Sequence, residues 1–312
     1  MAMMVLSDAE VAERLNWPEV MGALEAGFRL RAQAPSSFAL PERVALSASG
    51  GGALLTMPCA DARGWFGVKQ VSVLPENQGR GLPTVQAWYT LMGPNGTPAL
   101  ACAATALTRI RTAAASALAA RSLAPEAAQS LLVVGTGSLA PWLAEAHLQV
   151  RAYAEVMVWG RDRAKAERTA AAIRGRVGAV ALVRAVDELE AAADVADVIS
   201  FATTAKEPII RGAQLRDGQH LDLVGAFSSA MCEVDADAVK RARVFVDDRE
   251  AARAEAGDLI HAAAQGWSFK EVRADLAALV TGQAGRERDE DITLFKSVGL
   301  AVEDLLVARL LV

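Results

Sequence analysis

Leu131-Leu132-Val133-Val134-Gly135-Thr136-Gly137-Ser138-Leu139-Ala140 is the stretch whose reading decides the fold. Four apolar residues in a row read as a strand buried on both faces, and Gly135-x-Gly137-x-x-Ala140 reads as a tight turn into a helix. The first glycine permits the turn, the second lets a pyrophosphate reach the backbone, and the small third residue lets helix pack on strand. The helix N-terminus adds N–H groups and positive dipole. The bare pattern also fits a strand–helix turn that binds nothing, so its surroundings must decide.

Downstream, strand-like segments at Glu155–Trp159, Ala179–Val183, Val198–Phe201, Leu221–Val224 and Val244–Val246 alternate with helical ones such as Asp162–Ile173 and Asp235–Ala242. Apolar strands alternating with helices predict an α/β fold, a Rossmann-type doubly wound parallel sheet. The second strand ends in Trp159-Gly160-Arg161-Asp162-Arg163, where NAD sites usually carry a carboxylate for the ribose 2′-hydroxyl. Arg161 and Arg163 could instead grip a 2′-phosphate, which favours NADPH over NADH. The bland alternative is a pair of solvated arginines beside an Asp162 N-cap. Thr293 to Leu311 reads as helix.

Upstream, Ser7-Asp8-Ala9-Glu10 has capping-box spacing, and Val11, Leu15, Val20, Leu24 and Phe28 suit one or two amphipathic helices. Between Phe38 and Leu91 the pattern turns to short strands, and Gly93-Pro94-Asn95-Gly96 is a hairpin turn. Leu107 to Leu123 reads as an alanine-rich helix. Two cations stand out here. Lys69 lies in the apolar Phe66-Gly67-Val68-Lys69-Gln70-Val71, and Arg111 lies in the alanine helix. A buried cation needs an anion, either an internal Asp or Glu or a bound carboxylate, and arginine offers a bidentate fork to both. The expected build is a discontinuous α+β substrate and dimerisation domain, 1–118 plus 295–312, with a Rossmann domain, 119–294, inserted in it.

The chain has 312 residues and a net charge of −5 with no basic block, which argues against nucleic acid as a partner. No apolar run approaches the roughly 18 residues of a membrane span. The start lacks a basic and then apolar leader, so the expected compartment is the cytoplasm. Cys59, Cys102 and Cys232 are too scattered for a metal or disulfide framework.

Taken together, Met57-Pro58, Gly67-Val68-Lys69, Gly81-Leu82-Pro83-Thr84, Leu107-Thr108-Arg109-Ile110-Arg111-Thr112-Ala113-Ala114, Gly135-Thr136-Gly137, Glu255-Ala256-Gly257-Asp258 and Asp291-Ile292-Thr293-Leu294-Phe295-Lys296-Ser297-Val298-Gly299 resemble the ornithine cyclodeaminase/μ-crystallin family over nearly the whole chain. The resemblance implies a homodimer, a substrate carboxylate held by Arg43, Lys69 and Arg111, and cofactor contacts at Thr84, Gly135, Thr136, Gly137, Ser138, Leu139, Thr203, Val224, Lys296 and Ser297; Arg111 and, from the end of the second strand, Gly160, Arg161 and Arg163 are further cofactor candidates. One departure matters most. Ornithine cyclodeaminases of the family carry Gly-x-Asp-x-Pro-Gly after the fifth strand, whereas this chain reads Gly225-Ala226-Phe227-Ser228-Ser229. Phe227 can neither hold an ammonium nor move a proton.

The segment around Phe227 looks more like members that reduce Δ1-pyrroline-2-carboxylate or Δ1-piperideine-2-carboxylate to L-proline or L-pipecolate. There an aromatic wall suits a small cyclic imino acid. The expected activity is therefore a nicotinamide-dependent ketimine reductase, with Lys69 a candidate catalytic proton donor and Phe227 a substrate contact. Ornithine cyclodeaminase, an alanine-type dehydrogenase and a non-catalytic, crystallin-like NADPH-dependent binding protein are the alternatives.

Overall fold

The computed structural model describes residues 3–47 and 51–312. It divides into two compact units, Met1–Thr112 with Gly299–Val312, and Ala113–Val298. The sequence-based boundaries shift at both joins. The helix Thr105–Leu123 is continuous, and Ala120 already belongs to the second unit's core. Residues 295–298 stay with that unit because Thr293–Lys296 is hydrogen-bonded into its sheet.

The first unit contains β1 (Met4–Leu6), β2 (Phe38–Ala39), β3 (Val44–Ser47), β4 (Ala53–Asp61), β5 (Phe66–Val73), β6 (Val85–Met92) and β7 (Pro98–Ala103). They form one sheet of order β1-β7-β6-β5-β4-β2, with β3 also paired to β4. All pairings are antiparallel except β1 with β7. The helices α1 (Asp8–Arg14) and α2 (Trp17–Gln33) follow β1, and the Ser7–Glu10 capping box opens the first of them. A terminal helix, Ala301–Ala308, packs on α2, β4 and β5. All eight of its residues are buried, including Glu303 and Asp304. Strand alternation does the sorting on β5. Lys69 shares its face with Met57 and Tyr89, which are buried, while Phe66 and its register partner Met92 face solvent.

Helix α3 (Thr105–Leu123) leads into the second unit, a parallel sheet with the order β10-β9-β8-β11-β12-β15-β13-β14. Its elements are β8 (Ser130–Val134), α4 (Ala140–Val150), β9 (Glu155–Trp159), α5 (Arg163–Val177), β10 (Leu182–Ala185), α6 (Leu189–Val195), β11 (Val198–Phe201), β12 (His220–Leu223), α7 (Ala236–Arg241), β13 (Arg243–Val246), α8 (Arg249–Glu255), α9 (Gly257–Ala264), β14 (Ala274–Asp275), α10 (Leu276–Val280) and β15 (Thr293–Lys296). Leu131 and Val133 join one apolar cluster and Leu132 and Val134 another, so β8 is covered on both faces. The strand order reverses at β8 and β11, which is where open α/β sheets bind their ligands, at the carboxyl ends of the strands.

Two sequence-based expectations are corrected. The third strand starts at Leu182 rather than Ala179, because Val180 is exposed and only Val183 and Ala185 of this edge strand point inward. Thr293–Lys296 is not helix. It is a fully buried strand between β12 and β13. No helix among the described residues is long and apolar enough to cross a membrane.

Candidate active site

The first unit gathers its cations around the entry to the terminal helix. The Lys69 ammonium donates to Asp304, 3.0 Å from Oδ1 and 2.8 Å from Oδ2. Arg111 donates from Nη1 to Glu303 Oε2 at 2.6 Å and from Nε to Asp304 Oδ1 at 3.1 Å. Arg43 donates from Nη2 to the Gly299 carbonyl at 3.2 Å. Gly299 has φ 82, and a Cβ there would run into the Arg111 guanidinium. The anion that Lys69 and Arg111 require is thus internal in the first instance. Burial and the nearby Arg111 hold Lys69 down at about 8, against the attraction of Asp304. A cavity of about 950 Å³ in this unit, lined by Phe38, Trp65, Pro94 and Leu306 among others, includes none of the three cations. Thr84, half-buried in the same unit, accepts the Leu74 N–H through its carbonyl at 2.8 Å.

In the second unit the glycine turn has the form a dinucleotide needs. Gly135 is buried with φ 127, and a Cβ would strike the Ala202 carbonyl. Around Gly137 there is room, with Ala202 O the nearest atom to an added Cβ at 3.9 Å. Gly137 and Ser138 are exposed, and Thr136 and Leu139 are half-buried. Leu139 precedes α4 with no side-chain cap, and the first N–H groups of the helix are taken by the backbone, Ala140 donating to Gly137 O at 3.2 Å and Trp142 to Leu139 O at 3.0 Å. At the end of β9 the two arginines part company. Arg163 is committed to Glu167 at 2.5 Å and Asp187 at 2.9 Å, while Arg161, beside Gly160, is exposed without an ion pair among the described residues. Asp162 caps α5 through the Lys165 N–H.

The ends of β11 and β12 carry the remaining candidates. Thr203 donates its hydroxyl to Glu233 Oε1 at 2.8 Å, and Val224 donates its N–H to Phe201 O. The Ser297 hydroxyl is buried without a hydrogen-bond partner among the described residues, as a group awaiting a ligand would be. Lys296 is fully buried, 3.3 Å from Asp258 Oδ2, so its ammonium serves an internal carboxylate. Phe227 stands 43% exposed on a braced turn. Its N–H reaches Gly225 O, Gly257 N–H holds Ala226 O, and His261 Nε2 donates to the Ser229 carbonyl at 2.8 Å. The crowded first glycine, the open second one and the Ser297 hydroxyl all fit a dinucleotide.

Glu303, Asp304, Gly299, Glu233 and Asp258 were not singled out from the sequence as site residues. A signal existed for the first two, since Glu303-Asp304 are the only charges in an otherwise apolar helix. Burying a carboxylate pair in such a helix requires cations elsewhere.

The model of the ornithine cyclodeaminase/mu-crystallin family matches residues 1–312. A Δ1-pyrroline-2-carboxylate reductase of Paracoccus denitrificans is 36% identical, covering 97% of this chain and 94% of its own. Among solved structures, Thermococcus litoralis Δ1-pyrroline-2-carboxylate reductase in complex with NADH and L-proline superposes with TM-score 0.92 at 31% identity, over 99% of this chain and 96% of that one. An archaeal alanine dehydrogenase dimer with bound NAD gives 0.91 at 30% identity, over 99% and 95%.

Proposed function

The chain belongs to the ornithine cyclodeaminase/mu-crystallin family, and from that premise we propose that it is a nicotinamide-dependent reductase of small cyclic imino acids. The observation that carries this reading is Phe227, displayed on a rigid turn at the position where the family's cyclodeaminases hold their Asp. An aromatic face there offers a wall to ring methylenes and no carboxylate to a distal ammonium.

When bound, the reduced nicotinamide supplies hydride to the imine carbon. The protein's share is to hold the substrate and manage one proton. Arg111, oriented by Glu303 and Asp304, and Arg43, oriented by the Gly299 carbonyl, grip the carboxylate. Fixing the acceptor this way removes translational freedom from the step, an effect worth about 7–11 kcal/mol in favourable cases. Lys69, protonated below about 8, donates the proton that the imine nitrogen gains as its carbon takes hydride. One C=N bond thus becomes CH–NH. Arg161 reads the 2′-phosphate, which makes NADPH the preferred cofactor, while Arg163 stays with Asp187 and Glu167.

The test follows NADPH oxidation with Δ1-pyrroline-2-carboxylate and Δ1-piperideine-2-carboxylate in parallel, with pyruvate plus ammonia as one comparison arm and, because cyclodeamination consumes no net NADPH, proline formation from ornithine with NAD as the other. Turnover of either imine is expected, and turnover confined to ornithine or pyruvate would sink the proposal. In the same assay Arg161→Ser should raise KM for NADPH at least tenfold and leave NADH unchanged. An equal loss for both cofactors would remove Arg161 from the phosphate.

A further inference from the structure

Glu233 sits fully buried between the ends of β11 and β12 and fastens one to the other. Its Oε1 accepts the N–H and the hydroxyl of Thr203, both at 2.8 Å. Its Oε2 accepts the N–H of Gly225 at 2.8 Å and of Ala226 at 3.2 Å. Four donors converge on one carboxylate. A proton on Oε2 would face only N–H donors and cost one of the four bonds, while a proton on Oε1 would have to reverse the Thr203 hydroxyl; either way the remaining bonds lose the charge that strengthens them.

The charged groups facing Glu233 are Lys296 from β15 and Asp258 from α9. Asp258 Oδ1 also accepts the N–H groups of Glu233 and Val234 at 2.6 and 3.1 Å, which fixes where the Glu233 backbone lies. Burial pushes the Glu233 carboxyl up to about 7 against the pull of Lys296, and Asp258 adds to the rise. The group therefore changes charge near neutrality. The two loops it ties are those of Thr203 and of Val224-Gly225, assigned above to the cofactor.

We propose that Glu233 is a positioning residue that sets dinucleotide affinity: as a carboxylate it holds the Thr203 and Gly225 loops in binding geometry, and on taking a proton it releases them. The inference rests on the second unit being the cofactor-binding unit. Acid weakens binding because only the ionised fraction is competent. At pH 6, a group titrating at about 7 leaves about one molecule in eleven competent, so Kd rises about tenfold between pH 8 and pH 6.

The probe is NADH, since the 2′-phosphate of NADPH titrates on its own near about 6. Fluorescence titration of the full chain should give the tenfold rise in Kd. Glu233→Gln should bind more than tenfold more weakly at pH 8 and show no rise toward pH 6. In parallel, NMR amide shifts of Thr203 and Gly225 in the wild type should titrate with the midpoint of the Kd profile. The same Kd at both pH values, or a Glu233→Gln profile that matches the wild type, overturns the proposal. If Glu233→Gln fails to fold, the wild-type profile and amide shifts decide, and shifts that ignore the Kd midpoint overturn it. Absence of NADH binding at every pH would instead reject the cofactor reading of this unit, with the amide shifts still reporting whether Glu233 governs the loops.

Discussion

Lys69 is an ammonium kept where burial works against it. Its proton is secured by Asp304 and loosened by the desolvated setting and by Arg111, and the balance lies at about 8. The sign follows from that depression: the ammonium is present below about 8 and lost above it. If Lys69 protonates the imine nitrogen, kcat/KM is level below about pH 7 and falls by up to tenfold per unit above 8. Lys69→Arg keeps the charge yet cannot release a proton. Its rate should be low and its profile level through that range. A pH–rate profile whose alkaline limb survives in Lys69→Arg would place the titrating donor elsewhere. The need of Lys69 and Arg111 for anions was legible from their apolar surroundings. Which anions met it was not, because Asp304 lies 235 residues from Lys69 and Glu303 lies 192 from Arg111.

Elements that bury a continuous apolar run were legible, as β8, β9 and β11 show, because their pattern is local and covered on both faces. Strand β15 was not. Thr293-Leu294-Phe295-Lys296 ends in a lysine whose burial is balanced by Asp258, a contact that no local pattern reports. The terminal helix shows the same division: its apolar length is plain in the sequence, while its job of delivering two carboxylates to Lys69 and Arg111 is not. Gly299 is the joint that brings it there. Gly299→Ala puts a side chain at a left-handed φ and into the Arg111 guanidinium. The expected cost is about 1–3 kcal/mol of stability, together with a raised KM for the imino acid. Thermal unfolding and initial rates check both, and a variant that melts and binds like the wild type would show that Arg111 has slack there.

At the scale of the whole molecule, the first unit turns an apolar sheet face outward. Val44, Leu46, Leu54, Phe66, Trp88 and Met92 share it, each between 37% and 57% exposed. Apolar side chains gathered on one face in this way mark an interaction surface, and we take the occupant to be a second copy. Sedimentation should find a dimer, and Trp88→Arg should shift it toward monomer. A monomeric wild type would refute the assignment. The placing of β15 has a different consequence, one of timing. The centre of the second unit's sheet is left open until residues 293–296 have been made, and the first unit lacks its carboxylate pair until residues 303 and 304 follow. At roughly 5–20 residues per second on the ribosome, the two completions fall within a few seconds of each other.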